Sequence, residues 1–228
     1  MALVRELVHA GHEVWGIARS GNTLQSLKDE LGDKFNYIAA DLTSDKGLET
    51  IISALDGAAF FPKKVFLVAG VYSTDDETFN TPQHRQMMLD CNYTAPVKLY
   101  DLLVLRAHSP ACFVAISSIF ALLPDPLNPS YAAAKTELAD FFIQVNGNGG
   151  IETKVVYLGP VNTAINRYAK RKKSLMAIEP TQVARFLSHL PKKTGVTHIY
   201  PFSSSVIYQI LRYLPNSMYT ALMNKARR

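Results

Sequence analysis

Short apolar runs alternate with longer stretches of helical period along most of the chain. The strand-like runs are His12–Ala18, Phe35–Ala40, Lys64–Ala69, Cys112–Ser117, Thr153–Leu158 and Thr197–Tyr200. Most are continuous in hydrophobicity rather than alternating, as expected for strands covered on both faces. Between them, Leu24–Leu31, Asp45–Leu55, Thr81–Arg106, Ser130–Val145 and Pro180–Leu190 carry apolar positions at helical spacing. Pro180 fits a first helical turn, and Gly11 sits where a helix-ending glycine belongs. The repeated β-α order predicts an α/β fold, a doubly wound parallel sheet with right-handed crossovers. No low-complexity linker or internal repeat divides the chain, so residues 1–228 are expected to form one domain. The opening is anomalous. Residues 1–10 read as a helix, with Leu3, Val4, Leu7 and Val8 apolar, and no strand precedes it. Either the fold lacks its first strand or the polypeptide begins at an internal methionine.

Composition narrows the class without naming a function. With 228 residues, 48% hydrophobic and 19% charged, the chain is neither disordered, collagen-like nor a disulfide scaffold. The net charge of +5 hides an asymmetry: residues 1–162 hold 12 Lys and Arg against 18 acids, whereas residues 163–228 hold 12 against Glu179 alone. A basic C-terminal third suits an anionic partner such as a phosphate-bearing ligand, an acidic protein or a membrane surface. No nucleic-acid-binding motif accompanies it, so no nucleic-acid partner is expected. Cys91 and Cys112 each lie in an apolar segment without metal-ligand spacing, and read as buried reduced thiols of a cytoplasmic protein. No apolar run approaches the roughly 20 residues that span a bilayer. Residues 1–20 lack the basic start, apolar core and cleavage site of a signal peptide. The six histidines form no metal pattern and no Gly-x-Ser-x-Gly elbow occurs.

The strongest local chemistry is Tyr131-Ala132-Ala133-Ala134-Lys135. Residues four apart share a helix face, and a neighbouring cation favours phenolate, which suits a tyrosine to proton transfer near neutrality. Spacing alone decides nothing, since Tyr168 and Lys172 repeat it inside a basic run. Context separates the two pairs. Ser118 lies 13 residues before Tyr131, at the end of a strand-like run, whereas the same offset before Tyr168 reaches Val155 in mid-strand. Ligands of α/β sheets bind beyond the carboxyl ends of strands, so a hydroxyl there is well placed. Asn92 adds a polar amide among apolar neighbours of the 81–106 helical stretch. Taken singly, each has a bland reading: Ser118 a loop cap, Tyr131 a helix-start aromatic, Asn92 a satisfied buried amide.

Together, Asn92, Ser118, Tyr131 and Lys135 resemble the catalytic tetrad of the short-chain dehydrogenase/reductase family, in its short form with one Rossmann-like domain. Arg19 after the first strand-like run, Asp41-Leu42-Thr43, Ala69-Gly70 and Leu158-Gly159-Pro160-Val161-Asn162-Thr163 fall in the family's order over residues 1 to about 200. The last resembles its Pro-Gly-x-Val-x-Thr segment. The resemblance implies an oxidoreductase, a carbonyl reductase or alcohol dehydrogenase acting on a small carbonyl or alcohol. Tyr131 would carry the proton, Lys135 would tune it and hold the nicotinamide ribose, Ser118 would bind the reacting carbonyl, and Asn92 would anchor a relay water. Asp41 and Leu42 would meet the adenine, Ala69 and Gly70 the adenosine ribose side, and Gly159, Val161 and Thr163 the nicotinamide. A guanidinium at the end of this strand suits a 2′-phosphate, and Ala18-Arg19-Ser20 has no acid. The expected cofactor is therefore NADP(H) rather than NAD(H).

Three departures stand beside the resemblance. The family's Gly-rich turn, whose amides cradle pyrophosphate, does not precede the opening helix. That predicts a gap in the sheet between the strands at His12–Ala18 and Lys64–Ala69, weak cofactor binding and poor solubility. Leu67-Val68-Ala69-Gly70 stands where the family has Asn-Asn-Ala-Gly, and Leu158 where it has proline. The alternative is a non-catalytic relative kept for binding or assembly. The segment about 164–178, with Arg167, Lys170, Arg171, Lys172 and Lys173, corresponds to the family's variable substrate loop and is either a solvated charge run or a dock for an anionic substrate. The tail about 203–228 mixes apolar and basic residues, and fits core packing, a homodimer or homotetramer surface, or peripheral membrane contact.

Overall fold

The computed structural model describes residues 1–72, 81–106, 109–123, 125, 128–163, 177–190 and 195–227. The described residues alternate helices with parallel strands, as the apolar pattern predicts. The opening helix α1 (Ala2–His9) ends where Gly11, at φ +91°, donates its N–H to Val8 O. There follow β1 (Val14–Ala18), α2 (Gly21–Leu31), β2 (Phe35–Ala39), α3 (Asp45–Gly57) and β3 (Lys64–Leu67). Next come α4 (Pro82–Leu89), α5 (Ala95–Val104), β4 (Cys112–Ser118), α6 (Pro129–Gln144) and β5 (Glu152–Leu158). Helix α7 (Pro180–Ser188), β6 (Thr197–Tyr200), α8 (Phe202–Leu211) and α9 (Asn216–Arg227) complete the order.

The strands form two parallel groups rather than one sheet. Among the described residues β1 pairs with β2 alone, from Val14 opposite Phe35 to Ala18 opposite Ala39. The second group runs β3-β4-β5-β6, with Lys64 opposite Cys112, Ser118 opposite Leu158 and Val155 opposite Thr197. Between β1 and β3 lies a seam without ladder hydrogen bonds, where the sequence predicts a gap. Burial registers it. All seven residues of β4 are buried, whereas β3 buries only Leu67 and β1 buries none fully.

Helices hold the two groups together from both faces. Val8 of α1 packs with Leu24, Leu27 and Phe35 of the small group, while Leu3 reaches the cluster of Val114, Val156, Val183 and Leu187. On the other face, Ile38, Leu48 and Ile51 join Leu99, Phe113 and Phe142 in one core. Trp15 stacks on Phe60 at its margin, ring centroids 5.2 Å apart. Full burial of side chains such as Phe113 and Ile51 is worth about 1.5–3 kcal/mol each.

Two expectations change. The 81–106 stretch is not one helix, because a π-helical turn over Asp90–Thr94 separates α4 from α5. Cys112 is buried but Cys91, inside that turn and facing an open cleft lined by Thr43, Gln83, Gln86, Met87 and Asp90, is only half-buried. Both thiols are free.

Candidate active site

The carboxyl ends of β3 and β4 meet the π-helical turn and the first turns of α6, which brings three of the sequence-predicted residues together. Asn92 is fully buried. Its Nδ2 donates to Met88 O at 2.9 Å and to Val71 O at 3.0 Å, and its Oδ1 accepts from Val71 N at 3.2 Å. The π-helical turn shifts the backbone enough for this amide to reach both its own helix and the strand beyond; such turns concentrate at functional sites. The amide thus braces the chain just after Gly70, and both its protons are committed to carbonyls. The side-chain amide therefore acts as a brace.

Gly70 shows how close the groups lie. A Cβ built there would stand 2.7 Å from Asn92 Oδ1 and 3.3 Å from Lys135 Nζ. Only a residue without a side chain fits this approach. Lys135 is 5% exposed, and its Nζ donates to Ile116 O of β4 at 3.0 Å. Burial lowers its pKa from the ordinary lysine value of 10.5 to about 8. A second clamp holds the same helix against the same strand: Ser117 Oγ donates to Lys135 O at 2.8 Å. Sequence reasoning passed over Ser117, although the paired serines at the strand end were its signal, since neighbouring strand residues point to opposite faces.

Ser118 ends β4, and its Oγ accepts from Phe120 N at 3.2 Å, capping the turn Ile119–Ala121. With that lone pair occupied, the hydroxyl proton points to an acceptor elsewhere. Tyr131 enters α6 at its first turn. Its N–H donates to Asn128 Oδ1 at 2.9 Å, and Pro129 starts the helix. Asn128 before a proline was a legible cap signal. The four-residue spacing puts the Tyr131 and Lys135 side chains on one face.

The cofactor-side residues line a path from β1 to the end of β5. Arg19 and Ser20 are exposed after β1, and Ser20 Oγ shares a hydrogen bond with Thr23 Oγ1 at 2.9 Å. Asp41 Oδ1 accepts from Thr43 N and Thr43 Oγ1 at 2.9 and 2.8 Å. Those bonds, with a smaller pull from the Arg19 guanidinium, hold its carboxyl below the usual carboxylate range. Burial raises the Cys91 thiol pKa, partly offset by the field of the Arg19 guanidinium. Leu42 packs on the core. Ala69 is exposed, before half-buried Gly70. Gly159 is buried and donates to Tyr200 O at 2.8 Å, and a Cβ there would lie 1.9 Å from Ser204 Oγ. Val161 bridges to Ile178, and Thr163 N donates to Val161 O at 2.9 Å. Arg167 and Lys170 to Lys173, like the rival pair Tyr168 and Lys172, lie outside the described residues. Among the described residues no group of three His, Cys, Asp or Glu sides could hold a metal ion, and no helix is long and apolar enough to cross a membrane.

Known proteins resemble this chain in sequence and in fold. Human 17-beta-hydroxysteroid dehydrogenase type 3 is 28% identical over 144 residues, 60% of this chain and 46% of that protein, so the chain spans about half the length of the curated relative it matches. A short-chain dehydrogenase from Streptomyces avermitilis superposes with a TM-score of 0.78 at 18% identity, covering 98% of this chain and 90% of that one. Serine dehydrogenase in its closed form with NADP+ gives 0.76 at 20% identity, over 89% and 90%. The family model described as short chain dehydrogenase matches residues 1–174. With a family match over three-quarters of its length and the fold of these structures, the chain belongs to the short-chain dehydrogenase family.

Proposed function

We propose that the protein interconverts a small carbonyl compound and its alcohol with NADP(H), with Tyr131 as the proton donor and acceptor. The observation that carries this reading is the buried Lys135 ammonium beside Asn92 at the Gly70 approach, at the carboxyl ends of β3 and β4. A dinucleotide fits the residues present: Gly70 lets the backbone pass close to Asn92 and Lys135, and Arg19 offers an exposed guanidinium just after β1. Likeness to a dehydrogenase solved with NADP+ supports the cofactor class. Arg19 and Ser20 would hold the 2′-phosphate, Asp41 and Leu42 the adenine, Ala69 and Gly70 the adenosine ribose, and Gly159, Val161 and Thr163 the carboxamide. The nicotinamide supplies or accepts the hydride when bound.

The chain's own groups do the rest. Ser118, whose lone pair already takes the Phe120 amide, donates to the substrate oxygen. Tyr131 passes its proton to that oxygen in reduction and recovers it in oxidation. Lys135 spends one N–H on Ile116 O, and its remaining donors serve the nicotinamide ribose and favour the phenolate. Asn92 keeps Gly70 and Val71 in place. NADPH oxidation over a panel of ketones and aldehydes tests the scheme. Turnover is expected for wild type and a loss of about 100-fold or more for Tyr131→Phe; equal turnover refutes the proton donor. Titrating NADPH against NADH tests Arg19, with tighter NADPH expected and equal affinities excluding the 2′-phosphate role. The seam between β1 and β3 favours a second reading, a binding or assembly protein, which the absence of any NADPH binding in that titration would support.

A further inference from the structure

We infer that Asp125 and Tyr72 are a positioning pair for Tyr131, and that the Asp125 carboxylate sets the orientation of the Tyr131 phenol through the Tyr72 ring. The inference rests on the reading of Tyr131 as proton donor, and names residues outside the four of the sequence-predicted tetrad. Tyr72 lies just beyond β3, three residues after Ala69 and next to the Val71 that Asn92 clamps. Its hydroxyl donates to Asp125 Oδ2 at 3.3 Å. Its ring meets the Tyr131 ring edge to face, centroids 4.8 Å apart and planes at 85°. Aromatic pairs prefer this geometry because the positive edge of one ring faces the negative face of the other. A ring fixed at its hydroxyl end cannot tilt, so the surface it offers Tyr131 is fixed too.

A second route joins the same residues. Asn128 N donates to Asp125 O at 3.2 Å, and Asn128 Oδ1 accepts from Tyr131 N at 2.9 Å. The turn that carries Asp125 therefore also carries the cap that starts α6 at Tyr131, while the carboxylate itself holds the aromatic wall beside the Tyr131 side chain. It is 2% exposed, and a carboxylate this buried is costly unless several donors address it. Tyr219 of α9, itself 4% exposed, lies in its field: burial first, and then the Asp125 charge, push that phenol up to about 12. The signal was absent from the sequence because Tyr72, Asp125 and Tyr219 lie 53 and 94 residues apart in turn and share no motif.

Two measurements test the pair. In protein labelled with [13Cζ]tyrosine, the Tyr131 resonance is assigned by its disappearance in Tyr131→Phe. Tyr72→Phe, which keeps the ring but not the hydroxyl, and Asp125→Asn, which keeps the shape but not the charge, are each expected to move that resonance. The double variant should move it no further than the larger single change. A Tyr131 resonance unmoved in both single variants, or shifts that simply add, overturns the inference whether or not the protein turns over. With carbonyl substrate and NADPH, each single variant should lower kcat on the order of tenfold to 100-fold while the NADPH dissociation constant holds. If Tyr131→Phe abolishes turnover and these two variants keep wild-type kcat, the pair fails while the proton donor stands. If Tyr131→Phe keeps turnover, the proton donor fails, and the resonance shifts alone decide the pair.

Discussion

Lys135 carries a charge where charge is disfavoured. Its burial, 5% exposed with Ile116 O as a partner, brings the pKa to about 8. The sign of the stability effect follows. Between about pH 8 and the ordinary value of 10.5 the unfolded chain binds a proton that the folded chain has released, so unfolding free energy rises with pH in that window. Below pH 8 both states are protonated and the full cost of burial remains. Compared with Lys135→Met, wild type should gain on the order of 3 kcal/mol across the window, read by urea denaturation at successive pH values. Turnover should move the opposite way, declining above about pH 8 as the ammonium is lost. A flat difference between the two proteins would refute the buried charge. Gly70 is the neighbouring test at this scale. Gly70→Ala puts a methyl 2.7 Å from an Asn92 oxygen that cannot retreat, since the amide is held at three points. Calorimetry should show a loss of about 1–3 kcal/mol, and titration should show weakened NADPH binding.

At the scale of elements, the π-helical turn is the part that apolar periodicity could not reveal. The 81–106 stretch keeps helical spacing on both sides of Asp90–Thr94, so the sequence reads it as one helix. The turn carries the Asn92 amide to Val71, a partner 21 residues away that helical periodicity does not encode. Asn92→Leu keeps the volume and removes every partner, so about 1–3 kcal/mol should be lost for each backbone group left unmet. The far-UV signal should persist while the urea midpoint falls; an unchanged midpoint would mean that Asn92 does not brace the site. Elements whose signals are local were legible. Pro180, with the reciprocal Glu179 and Gln182 bonds, starts α7 as its place in a first turn predicts. The order Asn92, Ser118, Tyr131 and Lys135 was legible as a family-like pattern because these residues hang on such elements. Ser117, Tyr72 and Asp125 were not, because their partners lie far away along the chain.

For the whole molecule, the decisive feature is the seam between β1 and β3. Parallel strands gain stability from neighbours on both edges, and a two-stranded pair is marginal alone. The β1–β2 group therefore depends on α1 and on the shared core beneath α3 and α5 for its attachment to β3–β6.

The lone tryptophan of the chain, Trp15, sits on β1 and stacks against Phe60, so the weaker half bears its own optical gauge. As urea rises, indole emission should report the small half parting from the large one before ellipticity records the collapse of β4 and β5. Two midpoints in place of one would show a protein that comes apart along a fault line instead of melting as a unit. Coincident curves would mean that the helices alone weld the halves into a single cooperative body.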